Sequence, residues 1–338
     1  MQAWTLYSLT LVFWILIAAS PALAWGATGH RIIGELAIRS LPDEVPAFLR
    51  TNDAARQAGE LAREPDRWRG SGQEHDAERD PGHFVGVADD LTILGGPRLA
   101  ALPPSRLAYD TALRSVGSSQ YKAGYLPYSI IDGWQQLKTD FAYWRVDAAG
   151  EKLAKSADAR AWFASDRVLH EMLALRDLGV WAHFVGDGSQ PLHVSVHYDG
   201  WGDYPNPEGF SSRRGIHLHF EGAFVRENVS ENDVAALAPP ARDCACSIEE
   251  RTAQYLSATA AEVVPFYRLE KAGVFASATP QGRAFAAMRV AAAAAEMRDM
   301  IVAAWRASED AKIGFPPIAV GDGEAGKGDA LGSLKGED

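Results

Sequence analysis

HFVGDGSQPLH, residues 183–193, is the stretch from which the rest of the chain is best read. His183 and Asp187 stand four apart. The residues before them, SDRVLHEMLALRDLGVWA, carry Val168, Leu169, Met172, Leu173, Leu175, Leu178 and Val180 at roughly helical spacing. That spacing predicts a helix over 160–187, with His183 and Asp187 on one face of it. Gly188 and Pro191 then end the helix, and the chain delivers His193 beside the first pair. Imidazole and carboxylate converging in this way suit zinc. Two imidazoles and a carboxylate also occur together in structural cores, so the flanking sequence has to decide between the two readings.

Toward the amino end, LTLVFWILIAAS at 9–20 is an apolar run followed by PALA. Ala22 and Ala24 form a small-x-small cleavage site, which predicts a secretory signal over 1–24 and a secreted or periplasmic protein. The run is short for a membrane span. The mature chain would then open WGATGHRIIGELAIRSL, with a free amine on Trp25. That amine and the Trp25 carbonyl can chelate one metal, with His30 as a third donor; Gly26 and Gly29 let the backbone fold back for this. Ile32, Ile33, Leu36, Ala37 and Leu41 predict a helix from about His30. In LAREPDRWRG, residues 61–70, Asp66 can serve as a hard metal ligand, and Arg69 can present a guanidinium to a phosphoryl oxygen; a solvated turn with an Arg–Asp pair is the alternative. His83 falls in a short apolar or extended segment. Phe84 beside it is either core or a base-stacking platform.

Toward the carboxyl end, residues 194–216 are dense in Gly, Pro, Asp and aromatics and read as a long loop. Trp201, Tyr204 and Phe210 in that loop can stack on a base or hold an apolar tail; a self-packed loop is the competing reading. His217 and Glu221 repeat the four-residue spacing. His75, His170, His197 and His219 are read as structural or exposed. Helices are predicted around 105–116 and over 125–145, 247–267 and 279–308. In the second of these, Ile130, Ile131, Trp134, Leu137, Phe141 and Trp144 form a core stripe. Cys244 and Cys246, with one residue between them, are read as two small loop residues rather than a disulfide. The Gly-rich, charged end from Val320 is expected to be disordered over 320–338.

The chain has 338 residues, 47% of them hydrophobic, enough for a sizeable core. Its net charge of −11 argues against a basic groove for duplex DNA. It leaves phosphate chemistry open, because three divalent ions would add roughly +6 locally.

Together, WGATGH at the new N-terminus, PDRWR, HF, HFVGDGSQPLH and a later H-x-x-x-acid resemble the zinc-dependent single-strand-specific nucleases, which share a fold with zinc phospholipase C. The resemblance runs from Trp25 to about Trp305. It implies an all-α fold: one compact multi-helix domain over 25–319 with long loops and little β. It also implies three Zn2+. One would be held by Asp66, His83, His183 and Asp187. A second would be held by the Trp25 amine and carbonyl, His30 and Asp187, so that Asp187 bridges the pair. The third would be held by His193, His217 and Glu221. Asp66, Arg69 and Asp187 would carry catalysis, and Phe84 would stack a base. The implied substrate is single-stranded nucleic acid or a 3′-nucleotide, with no obligate protein partner. Two departures weaken the case for nucleobase specificity and keep open a phospholipase C, which uses Glu in the last motif, acting on phospholipid head groups. Glu221 stands where the nucleases usually have Asp, and the base-reading carboxylate of the nucleases would fall at Gly86. A third reading is a secreted zinc-binding protein with no catalytic role.

Overall fold

A computed structural model describes residues 25–336; the expected signal segment, 1–24, lies outside the described residues. Helix accounts for 64% of the described residues and strand for 3%, as expected of a single all-α domain. Eight helices of nine residues or more organise the described residues. They are α1 (Gly26–Arg39), α2 (Asn52–Leu61), α3 (Arg106–Ser115), α4 (Leu126–Leu153), α5 (Ala157–Asp187), α6 (Ile248–Ala260), α7 (Val263–Lys271) and α8 (Pro280–Ala307).

The caps follow from the sequence. Ser156 accepts a hydrogen bond from the Ala159 amide at the start of α5, and Thr279 accepts one from Gly282 ahead of Pro280 in α8. Each satisfies an amide that has no partner within the helix. Pro127 sits in the first turn of α4, where its missing N–H costs nothing. The predicted helix over 247–267 is in fact two, α6 and α7, broken after Ala260.

Helices α4 and α5 are the long antiparallel pair at the centre. They approach closely because Gly133 lies against Trp181: a Cβ there would stand 2.2 Å from the Trp181 ring. The Trp181 indole N–H crosses the same seam to donate to the Ile130 carbonyl at 2.8 Å. Leu137 and Phe141 of α4, Leu178 and Ala182 of α5, Ala55 and Ala58 of α2, and Met297 and Ile301 of α8 share one buried cluster. A second cluster gathers Trp25, Ile33, Phe220, Phe266, Phe285 and Val290 around the other side of α1 and α8.

Three expectations are corrected here. The end of the chain is ordered through 336: antiparallel strands β1 (Lys312–Ile313) and β2 (Ile318–Ala319) lead into helices Val320–Glu324 and Ala330–Lys335. Composition suggested disorder, but Val320 is fully buried with Ala142, Val146 and Ile313, and Glu324 pairs with Arg145 at 3.0 Å. Cys244 and Cys246 form a disulfide, because the backbone brings their Cα atoms to 5.2 Å, within bridging range. A cross-link spanning one residue constrains the unfolded chain little. Finally, the apolar stripe that predicted α5 is not buried throughout: Val168, Leu169, Met172 and Leu173 are exposed, and continuous burial begins nearer Leu178.

Candidate metal centre

The last turn of α5 places His183 and Asp187 on one face, both fully buried. The chain then turns through Gly188–Gln190 into a short 3-10 turn, Pro191–His193. Three contacts hold this turn. The Arg289 guanidinium donates to the Ser189 carbonyl at 2.9 Å, the Tyr255 hydroxyl donates to the Val185 carbonyl at 2.7 Å, and the Trp25 indole donates to Gly186 O at 2.8 Å. His83 comes from a different segment. It ends the 3-10 turn Asp80–His83, not a strand, and the chain becomes extended only at Phe84. Asp66 is on the short helix Glu64–Arg67, and His30 is in the second turn of α1.

These segments meet at Asp187, whose two carboxylate oxygens face different groups. Oδ2 lies 3.0 Å from His83 Nδ1 and 3.3 Å from His183 Nε2. Oδ1 lies 3.6 Å from His30 Nε2. Asp66 reaches within 4.0 Å of His183 Nε2. The imidazoles of His30 and His183 stack with centroids 3.9 Å apart. Trp25 is buried directly before α1 with φ 33°. A second group, His193, His217 and Glu221, adjoins the first. Glu221 Oε2 is 2.7 Å from His217 Nε2 and 3.4 Å from His193 Nε2. His217 and Glu221 span the junction between the helical turn Ile216–Leu218 and the π-helical turn His219–Phe224. The four-residue spacing still brings their side chains together.

The donor set fits divalent metal on two observations. First, imidazole orientation is fixed from behind. His183 Nδ1–H donates to the Ala62 carbonyl at 2.8 Å, and His193 Nδ1–H donates to the His83 carbonyl at 2.6 Å. Each bond leaves Nε2 as the lone-pair nitrogen facing the cluster, which is how ligating histidines are held. Second, Asp66 Oδ1, Asp187 Oδ1, His193 Nε2 and Glu221 Oε1 are buried with no hydrogen-bond partner. An uncompensated buried carboxylate costs several kcal/mol, and a cation among these atoms removes that cost. His83, His183 and Asp187 form one set whose ligand atoms lie within 4.8 Å of one another; His30, Asp66 and His183 form another, and His193, His217 and Glu221 a third.

Electrostatics agree at His83 and His183. Burial pulls His183 down to about 4 against the opposing pull of Asp66, and burial holds His83 well below the usual imidazole range. Both are therefore neutral, the form that binds metal. Burial pushes Asp187 well above the carboxylate range, and Asp66 upward too. At the second group, burial opposes both charges, but the contact between His217 and Glu221 wins: His217 is raised and Glu221 lowered.

A cavity of about 590 Å³ opens beside the cluster, lined among others by Arg69, His83, Phe84, His193, Tyr204 and His217. Arg69 is held at its wall, 3.2 Å from Asp80 and 3.5 Å from Asp66. Phe84 is half-buried on the wall and Tyr204 is exposed. Trp201 is corrected: it is buried, stacked on His197 at 3.7 Å and packed on Phe210 and Tyr267. That makes it the core of its own loop, with no face open for a base. His197 belongs to the same core and lies 2.9 Å from Asp89. His219 is exposed, and His75 lies 3.5 Å from Asp76.

Several contributors went unread in the sequence. Gln190 donates to Glu221 Oε2 at 3.1 Å, and Asp199 Oδ1 accepts from the amides of Gly215 and His217. Lys122 and Tyr198 line the cavity. None of these carries a spacing signal, because each reaches the site from a loop or from a distant element. No protein-family model matches the chain, and no curated protein matches it.

Proposed function

We propose that the chain is a zinc-dependent phosphodiesterase, a nuclease that hydrolyses single-stranded DNA or RNA and 3′-nucleotides. The observation that carries this reading is Asp187, buried at the meeting of four segments, with one oxygen toward His83 and His183 and the other toward His30. A carboxylate so placed suits the bridging of two cations. In this reading Asp66, His83, His183 and Asp187 hold one zinc. The Trp25 amine and carbonyl, His30 and Asp187 hold a second, and His193, His217 and Glu221 hold a third. Zinc held by these residues would supply an acidified water and positive charge for the phosphate.

The protein's own groups do the rest. Arg69, restrained by Asp66 and Asp80, offers a planar donor fork to a phosphoryl oxygen and steadies the charge that grows there. Phe84 offers a ring face to an unstacked base, and Tyr204 extends that apolar wall toward solvent. The Ala62 and His83 carbonyls keep the His183 and His193 rings from rotating, so the ligand atoms need no reorganisation during turnover.

A phospholipase C is the second reading. Gly86 lines the cavity where a base-reading carboxylate would be expected, and Glu221 takes the place of the usual Asp. The test sets zinc-loaded mature protein against single-stranded DNA, a 3′-nucleotide and phosphatidylcholine vesicles, each with and without chelator. Chelator-sensitive cleavage of the DNA and the nucleotide is expected. Cleavage of phosphatidylcholine alone would replace the nuclease by the phospholipase, and no cleavage of any phosphoester would leave a zinc-binding protein.

A further inference from the structure

Helices α4 and α5 hold a second, separate group of ligand-type side chains. Asp147 lies on α4, and Asp166 and His170 lie one turn apart on α5. Their ligand atoms lie within 4.8 Å of one another. His170 precedes His183 by thirteen positions on the same helix, so this group stands about 20 Å from the first centre.

Asp147 makes the group more than a cluster of acids. Its side chain is completely buried, and neither carboxylate oxygen has a hydrogen-bond partner. Buried polar groups are almost always paired, and a doubly orphaned carboxylate is the costliest exception. His170 shows the same lack: its Nδ1 is buried with no hydrogen-bond partner, while Nε2 lies 3.8 Å from Asp166 Oδ2. The His170 ring is stacked on Tyr143, with centroids 4.8 Å apart and planes 9° apart, which restrains the plane of the ring. Arg167, the nearby cation, is drawn away: its guanidinium bonds Glu151 at 2.8 Å and Glu171 at 2.5 Å. The side chains of Asp166 and His170 are 22% and 14% exposed, which leaves a path for an ion and for the waters that would complete its shell.

We propose that Asp147, Asp166 and His170 bind a divalent first-row cation, of the zinc or manganese class, independently of the centre around Asp187. Two carboxylates and one imidazole are a hard-to-borderline donor set, which disfavours the softer ions that seek thiolate. Three protein donors contributed by two adjacent helices would pin α4 to α5 near their joining turn. The site reads as structural, because Asp147 is fully buried between the two helices it would join.

The test counts metal in the whole mature protein, stripped with chelator, reloaded with zinc alone and then freed of excess. Asp147→Asn, Asp166→Asn and His170→Ala should each bind one zinc fewer per chain than the parent. Asp187→Asn should lower the count separately, and the two losses should add. Manganese alone, followed by paramagnetic resonance, should give a bound signal in the parent that Asp166→Asn abolishes. If Asp147→Asn fails to fold by circular dichroism, the partly exposed Asp166 and His170 variants decide. An unchanged count in those two would leave Asp147 a buried neutral acid and overturn the assignment. The readout is stoichiometry, so it stands whether or not the first centre proves to cleave phosphoesters.

Discussion

Asp187→Asn separates a metal-bridging carboxylate from an ordinary buried acid. Without metal, Asp187 is a liability: burial pushes its carboxyl well above the usual range, and Oδ1 has no hydrogen-bond partner. Replacing it by the isosteric amide should therefore cost the stripped protein little and can stabilise it. With zinc the sign reverses. Each ion present at about a hundredfold over its Kd stabilises the folded state by about 2.7 kcal/mol. Two ions sharing Asp187 would contribute about 5 kcal/mol, or about 10 °C in Tm at about 2 °C per kcal/mol for a domain of this size. Scanning calorimetry of parent and variant, each in chelator and in zinc, reads all four states. The expected pattern is a crossing: the variant is at least as stable in chelator and about 10 °C less stable in zinc. A Tm difference of the same sign and size in both conditions would refute the bridging role and return Asp187 to the core.

Arg69→Ala should lower turnover on single-stranded DNA by about 10²-fold, the scale of losing one transition-state donor, with zinc per chain unchanged. Unchanged turnover would make Arg69 only the partner of Asp66 and Asp80. Asp140, two turns of α4 before Asp147, gives a pH signature of its own. Burial, then the neighbouring Asp177, push its carboxyl from 3.8 up to about 7. The folded state therefore holds this proton more tightly than the unfolded state does. Its contribution to stability is intact below about pH 4 and is lost as pH rises toward 7. Asp140→Asn should leave stability at pH 4 nearly unchanged and raise it at pH 8 by about 2–4 kcal/mol, read by urea unfolding. Equal effects at both pH values would contradict the assignment.

How much was legible in the sequence depended on whether the signal was local. His183 with Asp187, and His217 with Glu221, were readable because a helix puts positions four apart on one face. The stripe of Ile130, Leu137 and Phe141 was readable for the same reason. Periodicity does not reveal where a packing partner ends, so Val168, Leu169, Met172 and Leu173 marked a helix whose apolar face is open over that stretch. Residues 320–338 read as disordered because their composition is poor in apolar residues, yet buried Val320, Gly323 and Ser333 and the Arg145–Glu324 pair help dock the segment through 336. Trp201 reads equally as a substrate platform or as loop core, because a loop aromatic looks the same in sequence whether it faces solvent or stacks on His197. Gln190, Asp199 and Arg289 act on the site from segments whose spacing carries no pattern, and only the folded chain brings them to it.

The most direct measurement is an anomalous difference map, at the zinc edge, of crystals of the chain beginning at Trp25, grown with zinc. Two peaks flanking Asp187 and a third among His193, His217 and Glu221 are expected. A map with no peak at any of these positions, from protein that folds and binds zinc elsewhere, would contradict the assignment of this buried cluster as a metal centre.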